Sequence, residues 1–221
     1  MEAYVTERNV GKKTREWLGE IREFNTHRLR LNRGRCALLV IDMQSHFLTP
    51  GSASFICGGP AIVPGLRTLV AAFRKAGRPV VYTRHVHHPD GIDAGIMKWW
   101  WEGMCVEGTP PSEIVSSLKP LKREKVVLKH RYSAFFDTDL DTVLRCLKIQ
   151  DLVITGVLTN LCCETTARDA YCRDYRTFFL ADGTATINEE MHVASLLNLS
   201  YGFSFVTTVK EMVRSLKHDR R

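Results

Sequence analysis

The chain has 221 residues, 44% of them hydrophobic and 25% charged, the balance of a globular protein with one sizeable core. Its formal net charge of +7 sits mostly at the ends, with +4 in residues 1–35, +2 in 217–221 and +1 between, so it lacks the concentrated basic face that a nucleic-acid partner requires. No apolar run approaches the ~20 residues that span a bilayer, and the charged start MEAYVTERNVGKKTREW has no apolar signal core, so neither membrane insertion nor secretion is expected.

Residues 1–33 read as an N-terminal helical extension, in which WLGEIREF (17–24) suits an amphipathic helix packing on the body or on a second subunit. The main domain, 34–221, opens with the apolar run CALLVIDM (36–43), a buried strand. PAIVPGLRTLVAAFRKAG (60–77) follows as a helix whose final Gly suits a C-cap, and RPVVYTRHV (78–86) is the second strand. Segment 87–124 is loop-rich, with PDG, GTPP and Trp99-Trp100-Trp101, and its length marks a lid or binding loop. For the tryptophans a core or interface role is expected for at least two. The third strand is KVVLKH (125–130), followed by a helix over 137–149 with Leu140, Val143, Leu144 and Leu147 on one face. Strands DLVITGV (151–157), RTFFLAD (176–182) and FSFVTT (203–208) alternate with helices 164–175 and 189–202. Strands alternating with helices predict an α/β fold of three α/β/α layers around a six-stranded, mostly parallel sheet.

The seven cysteines, Cys36, Cys57, Cys105, Cys146, Cys162, Cys163 and Cys172, are odd in number and show no zinc-like spacing. Free thiols in a reducing cytoplasm are the simplest expectation. In open α/β sheets ligands bind beyond the carboxyl ends of the strands. There VIDMQ delivers Asp42, LKHRYS delivers Lys129, and TGVLTNLCC delivers Cys162 or Cys163 to a helix start. A thiolate nucleophile, a carboxylate that takes and returns its proton, and a cation between them make a working set. A helix N-terminus or a nearby lysine would lower the thiol pKa toward neutrality. Each residue also has a plainer role: Asp42 as a turn cap, Lys129 as a solvated charge, the cysteines as packing.

ALLVIDMQSHFLTPGS (37–52), HRYSAFFDTDLDTVLR (130–145) and LVITGVLTNLCCETTARDAYCRDY (152–175) together resemble the isochorismatase-like cysteine hydrolase superfamily, in the right order and over residues 34 to 214. The resemblance implies Asp42 as general base and acid, Lys129 as catalytic lysine and Cys162 as nucleophile, with Cys163 in a packing position. It further implies a cis peptide bond at Val157–Leu158 and an oxyanion hole from the Leu158 and Cys162 amides. Nicotinamidases of the superfamily carry an Asp-x-His…His metal set after the second strand. RHVHHPD (84–90) supplies His85, His87 and His88 without that pattern, so no metal or other cofactor is expected.

The implied activity is hydrolysis of the C–N bond of a small amide or ureide, CCETTARDAY being similar to the motif of ureido- and carbamoyl-cleaving members. Phe47, His85, Trp100, Tyr132, Phe136 and Glu164 are the candidate substrate contacts. The partner is a small molecule, and a homodimer or homotetramer is expected from the family's habit. Two rival readings are an isochorismatase-type vinyl-ether hydrolase with Asp42 as acid and Cys162 incidental, and a non-catalytic protein that docks a partner through its basic N-terminal segment.

Overall fold

The computed structural model describes residues 3–217, so the basic C-terminal residues 218–221 lie outside it. Six strands, β1 (Cys36–Ile41), β2 (Val80–His85), β3 (Lys125–Lys129), β4 (Asp151–Val157), β5 (Arg176–Ala185) and β6 (Ser204–Thr207), form one sheet in the order β3-β2-β1-β4-β5-β6. Every pairing is parallel. Such strands are covered on both faces, which is why CALLVI and DLVITGV read as continuous rather than alternating runs.

The two faces build two cores. Ala37, Leu39 and Ile41 point to one, with Trp17, Leu144, Ala167 and Leu196; Cys36, Leu38 and Val40 point to the other, with Leu66, Phe73 and Met212. The first layer is thus α1 (Val10–Glu20), α5 (Leu140–Cys146), α6 (Glu164–Cys172) and α7 (Glu189–Gly202); the second is α3 (Gly59–Lys75) and α8 (Val209–Lys217). Two short helices, α2 (Ser45–Leu48) and α4 (Ile96–Trp100), lie in loops beyond the strand ends. After β1 the chain runs outward to β2 and β3, then returns to place β4 on the other side of β1. That reversal opens a crevice at the carboxyl ends of β1 and β4.

Three sequence expectations need adjustment. The helix expected over 137–149 is only seven residues long, because Lys148 at φ 54° turns the chain out of it; Leu147 is 47% exposed while Leu140 and Leu144 are buried. The N-terminal helix starts earlier than WLGEIREF and packs on the body of its own chain. Trp17 Nε1 donates to Glu189 at 2.6 Å, Lys13 Nζ to the same carboxylate at 2.8 Å, and the Trp17 ring lies 4.4 Å from that of His192. Of the core or interface role expected for the long-loop tryptophans, the core half does not hold, since Trp99, Trp100 and Trp101 are all exposed on the single chain.

His192 links this extension to the crevice. Its Nδ1 accepts from the Thr159 hydroxyl at 2.9 Å and its Nε2–H donates to Ala181 O at 3.1 Å, which fixes a neutral tautomer. Burial lowers its pKa to about 4. Between that value and the unfolded value of about 6.5, the unfolded chain binds a proton that the folded chain does not, so stability falls as pH drops through this window, by about 3 kcal/mol in all. Urea titrations of His192→Gln, whose amide can serve both partners, should show a shallower loss from pH 6.5 to 4 than the parent protein.

Candidate active site

Four strand ends supply the crevice. Asp42 leaves β1 at φ 51°, its N–H donating to Thr83 Oγ1 at 3.1 Å while the Thr83 hydroxyl donates back to Oδ1 at 2.5 Å. Gln44 ties the exits of β1 and β2 together: its Oε1 accepts from His85 N at 2.8 Å and its Nε2 donates to His85 O at 3.1 Å. Lys129 ends β3 fully buried, paired in register with His85, and its stem reaches past the end of β2. β4 can close against β1 because Gly156 has no side chain, a Cβ there being only 2.0 Å from Ile41 O. Beyond it come the cis peptide bond Val157–Leu158 and a π-helical turn, Thr159–Cys163, that leads into α6.

Lys129 Nζ lies 2.7 Å from Asp42 Oδ2 and 3.3 Å from Cys162 Sγ. All three side chains are buried, and donor atoms of Asp42 and Cys162 fall within 4.8 Å of each other. The Lys129 contact to Oδ2 is an ion pair rather than an aligned hydrogen bond, and among the described residues no other group bonds that oxygen. Oδ1 is occupied by Thr83, so Oδ2 is the oxygen with a lone pair to spare. Burial works against the Lys129 ammonium, but Asp42 and then Cys162 outweigh it and hold its pKa above the ordinary value.

The thiol departs from the sequence expectation. Burial pushes Cys162 up to about 12, and Lys129 offsets only part of that, so the resting group is a thiol. The turn hides Cys162 more than a helix start on an open surface would. Activation then depends on a base in contact, not on a low resting pKa.

Cys162 opens onto a cavity of about 410 Å³. Phe47, His85, Trp100, Tyr132 and Leu158 line it, as do His46, His87, Trp101, Asn160 and Thr186. No Lys, Arg, Asp or Glu side chain is among the lining residues. Trp101 Nε1 donates to the Tyr132 hydroxyl at 3.0 Å, joining the long loop to the exit of β3. Cys163, one residue on, is fully buried in the core it shares with Leu144, Ala167 and Leu196 and does not face the cavity.

Two expected substrate contacts are not brought there. Phe136 is 55% exposed and off the cavity, because Ser133–Thr138 form turns that aim it at solvent. Glu164 begins α6, where Arg168 one helical turn later holds its carboxylate at 2.7 Å. Thr83 and Asn160 were not singled out in the sequence. Thr83 stands two residues before His85 on the same face of β2; Asn160 occupies the polar slot of TNLCC and accepts from the Thr186 hydroxyl at 2.6 Å.

The profile of the isochorismatase domain family matches residues 36–211, the whole of the sheet and its crevice. The chain belongs to the isochorismatase family. Nicotinamidase 3 of Arabidopsis thaliana is 37% identical over 198 residues, covering 88% of this chain and 96% of its own. The ureidoacrylate amidohydrolase RutB of Pseudomonas savastanoi pv. phaseolicola is 32% identical over 207 residues, covering 83% and 84%. Among solved structures, a cysteine hydrolase from Pseudomonas syringae pv. phaseolicola 1448A superimposes with a TM-score of 0.83 at 33% identity, covering 86% of this chain and 96% of that one. Membership of the isochorismatase family accounts for the all-parallel sheet and makes this chain a hydrolase. No helix among the described residues is long and apolar enough to cross a membrane.

Proposed function

We propose that the chain is a cysteine amidohydrolase that cleaves the C–N bond of a small, flat, uncharged amide or ureide through a thioester on Cys162. The observation that carries this reading is the Asp42–Lys129–Cys162 set, with Lys129 Nζ 2.7 Å from the carboxylate and 3.3 Å from the sulfur, opening on a cavity without charged lining.

Asp42 Oδ2 takes the thiol proton as Sγ bonds to the carbonyl carbon, and the carbonyl electron pair moves to oxygen. Proton transfer here moves charge without creating any: carboxylate, ammonium and thiol become carboxylic acid, ammonium and thiolate, and the buried net charge stays zero. That is how a thiol held at about 12 can act as a nucleophile. The oxyanion is held by the Leu158 and Cys162 amides, each such donor lowering the barrier by about 3 kcal/mol. On collapse the C–N bond breaks and Asp42 gives its proton to the departing nitrogen. Water then attacks the thioester, its proton going to Asp42, and the C–S bond breaks as the thiol regains that proton.

The neutral cavity selects the substrate. A carboxylate-bearing ureide would lose its hydration there and find no cation to pair with, a cost of several kcal/mol. Nicotinamide, the amide in one relative's name, is flat and uncharged; ureidoacrylate, in the other's, is an acid. A panel of aromatic carboxamides and ureido acids tests both halves. Quenched intact mass and peptide mapping should find an acyl adduct on Cys162, and kcat/KM for neutral carboxamides should exceed that for ureido acids by about 100-fold or more. An adduct elsewhere, or a preference for the acids, would overturn the corresponding half.

A further inference from the structure

Behind the nucleophile runs a file of polar side chains that the proposed reaction does not use. Lys129 Nζ is 3.3 Å from His85 Nδ1, His85 Nε2 is 3.1 Å from His87 Nε2, and His87 Nδ1 is 3.2 Å from Asp93 Oδ1. Both imidazoles are buried, whereas Asp93 lies nearer the surface, in the loop after β2.

The hydrogens along this file have one consistent arrangement. An ammonium only donates, so His85 Nδ1 must accept, and its proton sits on Nε2. His87 Nε2 must then accept from His85, which places the His87 proton on Nδ1, facing the Asp93 carboxylate. Asp93 only accepts, and it also takes the His88 N–H at 3.0 Å. Burial, reinforced in His85 by the Lys129 charge, pushes both imidazoles below the ordinary histidine range, so both rings are neutral. The other titratable or charged groups facing them are His46 and His130 around His85, and His130 and Arg131 around His87.

Lys129 has three N–H bonds and three hydrogen-bond acceptors, Arg131 O at 3.0 Å and Cys162 Sγ and His85 Nδ1 both at 3.3 Å, beside its ion pair with Asp42 Oδ2 at 2.7 Å. One N–H is therefore directed at His85 Nδ1 and another at Cys162 Sγ, a weak acceptor as a thiol and a strong one once the sulfur is anionic. The opposite His85 tautomer would aim an N–H at the ammonium and displace it.

We propose that His85, His87 and Asp93 form a one-directional hydrogen-bond relay that locks His85 in its Nε2–H tautomer and thereby positions the Lys129 ammonium beside Cys162. Asp93 is a positioning residue, three side chains from the sulfur. The proposal rests on the assignment of Lys129 and Cys162 to the reaction. The relay also competes with an alternative use of the same residues, since His87, Asp93 and His130 bring donor atoms within 4.8 Å of one another and resemble a metal site. A metal on His87 Nδ1 would move its proton to Nε2, against the proton that His85 already directs there. The relay and the metal are therefore mutually exclusive.

The test is ¹⁵N NMR of the 221-residue chain labelled in its eight histidines, with His85→Gln and His87→Gln for assignment. At pH 7 His85 should be protonated at Nε2 and bare at Nδ1, and His87 the reverse. An imidazolium in either ring, an opposite tautomer in either, or a displacement of the His87 resonances by equimolar zinc would overturn the relay. These spectra need no substrate, so the relay can fail while the amidohydrolase reading stands, and the reverse. In activity, Asp93→Ala should lower kcat about 10- to 100-fold with KM nearly unchanged, since Asp93 does not line the cavity. Asp93→Asn, which keeps an acceptor oxygen for His87, should restore most of the loss. Equal losses in the two variants, or a fall in melting temperature without a change in kcat or tautomer, would also overturn it.

Discussion

Cys162→Ala is expected to lower kcat/KM by about 10⁴-fold, because no other group can form the thioester and what remains is binding plus oxyanion stabilisation. Cys163→Ala, its neighbour in sequence, should keep most of the activity and lose about 1 kcal/mol of stability, as the removal of one small buried side chain. The contrast follows from geometry: Cys162 Sγ is 3.3 Å from Lys129 Nζ and lines the cavity, whereas Cys163 is fully buried and does not. Both variants should be assayed beside their urea midpoints, so that a folding loss is not read as a chemical one. Near-full turnover by Cys162→Ala would remove the thioester and leave the vinyl-ether type of acid chemistry at Asp42.

Gly156→Ala is expected to cost about 4 kcal/mol or more, a large part of the 5–15 kcal/mol that holds a typical domain together. Gly156 has φ +115°, and an added Cβ would lie 2.0 Å from Ile41 O and 2.7 Å from Ile41 N. Both are backbone atoms of the central strand β1, so neither can rotate away. Relief requires β1 and β4 to part where they hold Asp42 and the approach to Cys162, and activity should fall further than global stability alone explains. Gly77→Ala is the control: its φ is +64°, but nothing lies within 4 Å of an added Cβ, so it should cost only about 1 kcal/mol. Chemical denaturation of the three proteins measures both. Similar losses at the two positions would mean that backbone conformation, not the close approach of the strands, sets the cost.

The sheet was legible in the sequence because parallel strands covered on both faces must be apolar along their length, and CALLVI and DLVITGV are. The positions of Asp42 and Lys129 were legible for a related reason, since each is a charged residue at the carboxyl end of an apolar run, just after β1 and as the last residue of β3. Local pattern could not tell which exposed aromatics border the cavity: Phe136 lies away from it, while Trp100 and Trp101 line it. Nor could it show the pairing of Glu164 with Arg168, which needs only one helical turn and competes with any substrate role. The direction of the thiol shift was missed because helix start and lysine are visible in a sequence, whereas the degree of burial that outweighs them is not. Thr83, essential to the placement of Asp42, looks like any β-branched strand residue until β2 is laid beside β1.

The buried, net-neutral set of Asp42, Lys129 and Cys162 faces an uncharged cavity, while most of the chain's basic excess lies in its terminal segments. Mobile ions screen exposed charges over about 8 Å at physiological ionic strength but penetrate a buried pair poorly. Turnover of an uncharged substrate should therefore be nearly indifferent to added salt, even where salt alters how the basic ends associate with other surfaces. Chemistry and surface attraction are decoupled in this chain, and either can be tuned by its environment without disturbing the other.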